Sequence, residues 1–272
     1  MQRREFLKTS AAATVLGSIL PQSNVSAQPA NQPGGREFYE LRLYHLRPGP
    51  QVEGFDRFYR EAAIPAFNRA GVERVGVFSA TTAAATADPE NPIMYVLLTH
   101  SSLESVGATT DRLLADAEYG KAGAAFLNAH ATAPSYVRVD SSLMGAFGQP
   151  KLKAPDFGDE NQSRLFELRT YESHSKKANK KKIAMFEQGE IAIFLRVGLQ
   201  PVFFGETLIG SRLPNLTYML TFKNQAAKDQ AWRAFGADAD WKKLRAMPGN
   251  ADKEIVSKIT STMLRPAPYS QI

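Results

Sequence analysis

Two stretches of the chain carry residue types from which a small-molecule site could be built. FYELRLY at residues 38–44 returns as LFELRTY at residues 165–171. Each places a carboxylate, a guanidinium and a phenol at every second position: Glu40, Arg42 and Tyr44 in the first, Glu167, Arg169 and Tyr171 in the second. On a β-strand alternate side chains share a face, so each set would project together. Two arginines and two tyrosines converging on one cavity could hold an oxygen-rich ligand, with a glutamate as proton acceptor. The same residues also have a purely structural reading. Each Glu could pair with an Arg and so satisfy charges that cannot stay buried alone. The occurrence in two copies argues for architecture, since one catalytic site rarely needs its residues twice. No catalytic residue follows from the pattern itself.

Other chemistry is sparse. The four histidines, His45, His100, His130 and His174, show no metal-ligand spacing such as H-x-H or H-E-x-x-H, and the chain has no cysteine. No metal site is expected. Nucleophile and phosphate-loop signatures (G-x-S-x-G, the S-x-x-K set with its S-D-N and K-T-G partners, G-x-x-x-x-G-K-[ST]) are missing as well. The run KKANKKK, Lys176 to Lys182, opens a predicted helix and reads as a solvated face, with an anionic surface or lipid headgroup as the other reading. Trp232, Phe235 and Trp241 stand at near-helical spacing and read as core.

The N-terminus, MQRREFLKTSAAATVLGSILPQSNVSAQ, is read as a leader and set apart from the fold. Arg3-Arg4 precede Phe6-Leu7-Lys8 and a weakly apolar run from Ala11 to Leu20, which is too short to span a bilayer. Pro21 breaks the run, and Val25-Ser26-Ala27 supplies small residues for cleavage after Ala27. The pattern resembles a twin-arginine leader, which a receptor reads to translocate folded proteins, and implies a periplasmic or otherwise exported protein without an integral anchor. Loss of residues 1–27 lowers the formal net charge from +6 to +4, which gives little reason to expect a nucleic-acid partner. Without disulfides, packing alone must hold the remaining residues, and they are numerous enough for one large or two small domains.

Two polar segments, 28–36 and 149–163, read as linkers around two similar halves, 37–148 and 164–266. In the first half, strands are expected over 38–46, 72–80, 93–100 and 135–145, with a helix from Val52 to Ala70 and a broken helix over 103–129. In the second, strands are expected over 164–171, 199–208, 216–222 and 254–264, with helices from Lys177 to Val197 and over 226–246. A constant offset of 127 aligns Glu40 with Glu167, Arg42 with Arg169, Tyr44 with Tyr171, Ile64 with Ile191, Phe67 with Phe194, Arg69 with Arg196 and Gly71 with Gly198. A loop four residues shorter then sets Tyr218 opposite Tyr95.

Each half thus reads βαββαβ, the ferredoxin-like motif, whose four-stranded sheet has helices on one face only. The expected fold is α+β: two tandem ferredoxin-like repeats whose bare sheet faces cover each other in a pseudo-dimeric α/β barrel. In that arrangement Leu41, Leu43 and Leu168 would face the helices. Glu40, Arg42, Tyr44, Glu167, Arg169 and Tyr171 would line the shared interior.

YELRLYHLRPG followed by FYREAAIPAFNRAGVERVGVF, and FELRTY followed by LRVGLQPVFFGE, resemble the NIPSNAP family over about residues 37–265. In the second copy Asp240-Trp241 resembles an acidic-residue-plus-Trp pattern found late in such domains, and the first copy has Glu118-Tyr119 there. The resemblance implies tandem ferredoxin-like repeats within the dimeric α/β-barrel superfamily, whose members include cofactor-free monooxygenases, haem enzymes and small-molecule isomerases. It implies no agreed catalytic mechanism, and homo-oligomers are plausible among such proteins. A histidine could serve as haem ligand by the same resemblance, though the chain has no cysteine-based haem attachment motif and no cofactor is expected. A small-molecule binder with a cavity inside the barrel is the leading expectation. The alternative is a non-catalytic assembly protein in which the Glu-x-Arg-x-Tyr strands only brace the barrel.

Overall fold

The computed structural model describes residues 35–81, 88, 90–149, 151–154 and 164–272; the expected leader and most of both linkers lie outside them. The first half contains strands β1 (Phe38–His45), β2 (Val75–Ala80), β3 (Ile93–His100) and β4 (Arg138–Ala146). The second contains β5 (Leu165–Glu172), β6 (Gln200–Ile209), β7 (Asn215–Phe222) and β8 (Lys258–Pro266). These strands close a barrel in the order β1-β3-β2-β8-β5-β7-β6-β4, antiparallel at every step. Each half contributes the same run, β4-β1-β3-β2 and β8-β5-β7-β6. The seams are β2 on β8, through the pairs Phe78↔Pro266, Ser79↔Arg265 and Ala80↔Leu264, and β4 on β6, with an irregularity at Leu143/Met144.

The helices lie outside the barrel, so each strand is covered on both faces. That explains the first departure from expectation. Tyr39, Leu41, Phe166 and Leu168 belong to the barrel interior, packed with Phe78, Phe203 and Leu264. Tyr44 instead joins the cluster of Phe55, Phe58 and Tyr59, and Tyr171 that of Phe186, Phe194 and Tyr218, beneath the helices. The two faces of each strand are therefore reversed from the expected assignment. Glu40, Arg42, Tyr44, Glu167, Arg169 and Tyr171 lie between sheet and helices, and Leu41, Leu43 and Leu168 look inward. Alternation sorts side chains into two sets but does not say which set faces which cover when both covers are apolar.

A second departure concerns register. β1 pairs Arg42 with Val96, and β5 pairs Arg169 with Tyr218. Tyr218 therefore corresponds to Val96 at an offset of 122, so the intervening deletion is five residues rather than four. Tyr95 faces the barrel interior, whereas Tyr218 lies under the helices. The same offset carries past the next helix. Asp116 caps α4 (Ala117–Ala122) and Asp238 caps α9 (Ala239–Ala246). Arg69 binds Asp116 at 2.7 Å and Arg196 binds Asp238 at 2.8 Å. Each cap thus satisfies orphaned helix amides and ties the end of one helix to the start of another.

The expected long helices are each interrupted by a π-helical turn. The first runs as α1 (Pro50–Phe58), a π-turn at Tyr59–Ala63 and α2 (Ile64–Arg69). The second runs as α6 (Lys176–Met185), a π-turn at Phe186–Glu190 and α7 (Ile191–Arg196). The two π-turns stand at the offset of 127, and each widens the helix where it crosses the sheet. At the C-terminal end, residues expected to begin the last strand form α10 (Asp252–Ile255) instead. The lysine run also departs from its expected role as a wholly solvated face: Lys176 and Lys180 are exposed and reach Glu206, but Lys182 is buried against Glu190 and Asp252.

Inside the barrel the two ends differ. One end is plugged by aromatic pairs, Tyr39 with Phe203 and Phe78 with Phe166, each with ring centroids 4.9 Å apart. Edge and tilted contacts of this kind contribute about 0.5–1.5 kcal/mol beyond burial. The C-terminal residue Ile272 is buried at that same end, beside Gly76. The other end, where β1 and β5 finish, is open.

Candidate functional site

The two Glu-Arg-Tyr sets form closely similar clusters. In the first half Arg42 grips Glu40 with Nε at 2.6 Å and a terminal nitrogen at 2.9 Å, and Ser141 Oγ donates at 2.9 Å. His100 Nε2 stands 3.4 Å from Glu40 Oε2 without hydrogen-bond geometry. In the second half Glu167 accepts from Arg169 at 2.6 Å, from Ser261 Oγ at 2.7 Å and from Trp232 Nε1 at 2.7 Å. Arg169 also reaches Tyr171 Oη at 3.3 Å, Tyr171 bonds Tyr218 at 3.0 Å, and the guanidinium lies 4.7 Å over the Trp232 ring. Ser141 and Ser261 are equivalent through their ladders, opposite Arg42 and Arg169. The carboxylates are thus satisfied by their own neighbours, which is what bracing requires. A shallow surface groove of 450 Å³ borders Glu167, Arg169 and Trp232.

Burial pushes the Glu40 carboxyl up, but His100, Arg42 and Ser141 outweigh it and hold the pKa down to about 2. A carboxyl held below its ordinary 4.5 stabilises the fold above that value, and the contribution is lost as pH falls from 4.5 toward 2. Urea unfolding of the wild type and Glu40→Gln should show a stability gap that is constant above pH 5 and closes on acidification (about pH 5 being half a unit above the unfolded value). A gap independent of pH would mean that Glu40 is not ionised in the fold.

The open end of the barrel holds a cavity of 270 Å³. Its floor is apolar, from Leu41, Leu168 and Met144, and its wall carries hydroxyls from Thr170, Thr207, Thr217, Thr260 and Thr262. Thr170 bonds Thr217 at 2.9 Å, and Thr207 donates to Asn215 at 2.5 Å. At the rim, His45 binds Asp140 at 2.7 Å, and that bond holds the Asp140 carboxyl below its ordinary value. Across from it, Arg212 stands 3.8 Å from Glu172. His45 and Glu172 are equivalent positions, both on the inward face at the ends of β1 and β5.

None of the six expected site residues lines this cavity. The residues that do were missed for a definite reason: interior threonines read as ordinary β-formers, and Arg212 sits in a turn whose path the sequence does not reveal. The available signal was the alternation Thr260, Thr262 with Thr217 and Thr170 on inward positions, once the faces are assigned correctly. The cavity lining includes no histidine, and His100 is packed against Glu40 in the other layer. Among the described residues no group of three or more His, Asp or Glu is placed to hold a metal ion. No helix among them is long and apolar enough to cross a membrane.

The sequence profile of the NIPSNAP family matches residues 166–271, the second half of the barrel. No curated protein matches the sequence at a significant level. In structure the chain is similar to a candidate monooxygenase of Fusobacterium nucleatum subsp. nucleatum, at 9% identity over 85% of this chain and 93% of that one, with a TM-score of 0.55. A candidate monooxygenase of Lactobacillus acidophilus is 9% identical over 87% of this chain and 98% of that one, with a TM-score of 0.53. Both share the barrel fold. A NIPSNAP-like domain protein of Burkholderia xenovorans is 18% identical over 40% of this chain and 90% of its own, with a TM-score of 0.37.

Proposed function

We propose that this is an exported NIPSNAP-like protein that binds a small molecule inside its α/β barrel, while the two Glu-Arg-Tyr sets brace the sheet against the helices. The observation that carries the reading is the 270 Å³ cavity with an apolar floor and a polar rim. A concave apolar pocket with a few convergent polar groups is what small-ligand sites share, and this one lies near their lower size limit of about 300 Å³. Internal duplication of a ferredoxin-like unit accounts for the matching strand orders, the paired π-turns and the repeated Arg–Asp caps. Only the second half matches the family profile, so membership of the whole chain is part of the proposal. Export rests on the leader sequence, with cleavage after Ala27. The likeness in fold to two candidate monooxygenases makes cofactor-independent oxygenation, with isomerisation beside it, the chemistry to assay first once a ligand is identified.

Native mass spectrometry of the protein purified from its own host tests the reading in one measurement. The expected result is a polypeptide lacking residues 1–27 and carrying a small adduct that is released on denaturation. Thr260→Phe, which fills the cavity from its rim, should abolish the adduct without unfolding the protein. An adduct that survives this substitution would place the ligand elsewhere.

A further inference from the structure

The hairpin between β6 and β7 ends in an apolar tip. Ile209 is 67% exposed and Leu213 49%, and Leu208 beside them is exposed as well. Polar ties within the hairpin hold the tip in place. Asn215 donates to the carbonyls of Ser211 and Arg212 at 3.1 and 3.0 Å and accepts from Thr207 across the hairpin. Arg212 is kept in the left-handed region, φ 58°, and Gly210 passes so close to Ser142 that a Cβ there would stand 2.5 Å from its Oγ. A loop fixed so firmly with its aliphatic side chains in water calls for something to cover them.

The charge beside the tip says what that cover is. Lys176 and Lys180 bind the two oxygens of Glu206 on β6 at 2.8 and 2.6 Å, which sets the lysine run of α6 alongside the hairpin. Lys177 and Lys181 stand one residue further round the helix and are exposed. The carboxylates paired with Lys176, Lys180 and Arg212 are those of Glu206 and Glu172. Their side chains are only 9% and 18% exposed, so the cations dominate the outward face. The fold does not ask for these lysines. At the offset of 127 the first half builds the same helix start with Gly49, Pro50, Glu53 and Gly54, and lysines four apart repel along a helix. A protein partner is the poorer match, since interface cores are rich in aromatic and arginine side chains and poor in lysine. Aliphatic side chains on a narrow tip, flanked by lysines on flexible stems, suit a lipid surface, where headgroups take the charge and the tip enters between them.

We propose that the β6–β7 tip and the exposed lysines of α6 form one surface that docks on an anionic lipid bilayer, with Ile209 and Leu213 entering the headgroup layer. Ser211, Arg212 and Asn215 also line the barrel cavity, so docking sets that cavity at the lipid surface, but the proposal needs no ligand inside it. The test uses the leaderless protein with vesicles of phosphatidylcholine alone or mixed equally with phosphatidylglycerol. Flotation should show binding to the mixed vesicles at least about tenfold tighter than to the neutral ones, weakening as salt is raised. Lys177→Glu/Lys181→Glu should lower that affinity at least about tenfold, since each lysine near such a surface is worth roughly a factor of five. The chain has no cysteine, so Ile209→Cys takes a single polarity-sensitive fluorophore, whose emission should shift to the blue on the mixed vesicles. The same label on Leu114→Cys, 77% exposed in the first half, should not respond. Equal binding to both kinds of vesicle, no binding to either, or a label at residue 209 that stays in water overturns the proposal. So does affinity that ignores the two charge reversals. A blue shift that appears with rising protein concentration and no lipid also overturns it, and makes the tip a contact between copies of the chain. If the double variant fails to fold, the labelled proteins still decide.

Discussion

Replacing Lys182 by methionine is expected to lower the unfolding free energy at pH 7 by about 3–5 kcal/mol, among the largest losses from any single substitution in this chain. The side chain is 1% exposed, with Nζ 3.1 Å from Glu190 and 3.2 Å from Asp252. The rings of Phe186, Tyr171 and Trp241 surround the ammonium at 5.1, 5.5 and 5.5 Å. Burial opposes its charge, but the two carboxylates outweigh burial and raise its pKa. Burial pushes Glu190 up to about 6 against the pull of Lys182. Removing the cation strips the buried Glu190 carboxylate of its hydrogen-bonded partner, and its pKa must climb further. A carboxyl raised above its unfolded value of 4.5 loses stability as pH rises through the folded value, so the variant should be relatively less impaired at pH 5 (about half a unit above the unfolded value) than at pH 8. The first half supplies the control, since Phe55 and Ala63 occupy the equivalent positions and are both buried. The double variant Lys182→Phe/Glu190→Ala copies that apolar solution and should recover most of the loss, to within about 2 kcal/mol of wild type. Chemical denaturation of the three proteins measures both effects. A double variant as unstable as the single one would show that the pair cannot be replaced by packing.

How much of this was legible in the sequence depends on the kind of information each feature needs. The βαββαβ order, the offset between halves and the barrel follow from periodicity and repetition, and the structure bears out the α+β barrel. The direction in which the strands face does not. FYELRLY alternates between Glu-Arg-Tyr and an apolar set, and in a strand buried on both sides either set can meet either cover. Here polar groups near the edge of the helical layer can use partners from other elements: Trp232 from α8 (Gln225–Ala237), Ser261 from β8 and His100 from β3. The barrel interior packs the rings of Tyr39, Phe78, Phe166 and Phe203 at its closed end. The π-turns were invisible because they leave the apolar spacing nearly intact. The burial of Lys182 was masked by the lysines around it, although its alignment with Phe55 was a usable sign. The rim pairs His45–Asp140 and Glu172–Arg212 join residues from distant elements, and no spacing rule connects them.

Arg169→Ala is expected to cost about 3–5 kcal/mol, lowering the melting temperature by roughly 10 °C or more, and to leave the small-molecule adduct of the barrel cavity in place. The substitution removes the 2.6 Å ion pair to Glu167, the bond to Tyr171 and the guanidinium stacked 4.7 Å over Trp232. Glu167, with a side chain 2% exposed, keeps the neutral donors of Ser261 and Trp232. Lysine should rescue little, because a single ammonium cannot reproduce the planar fork that serves Glu167, Tyr171 and the indole face together. The two roles open for this residue from its sequence pattern give opposite readouts. A brace lowers thermal stability and spares binding, because its side chain points away from the cavity into the sheet–helix layer. A ligand contact spares stability and abolishes binding. Calorimetric unfolding and native mass spectrometry on the same preparation separate them, and a variant with wild-type melting temperature but no adduct would move the site out of the barrel and into the groove beside Trp232.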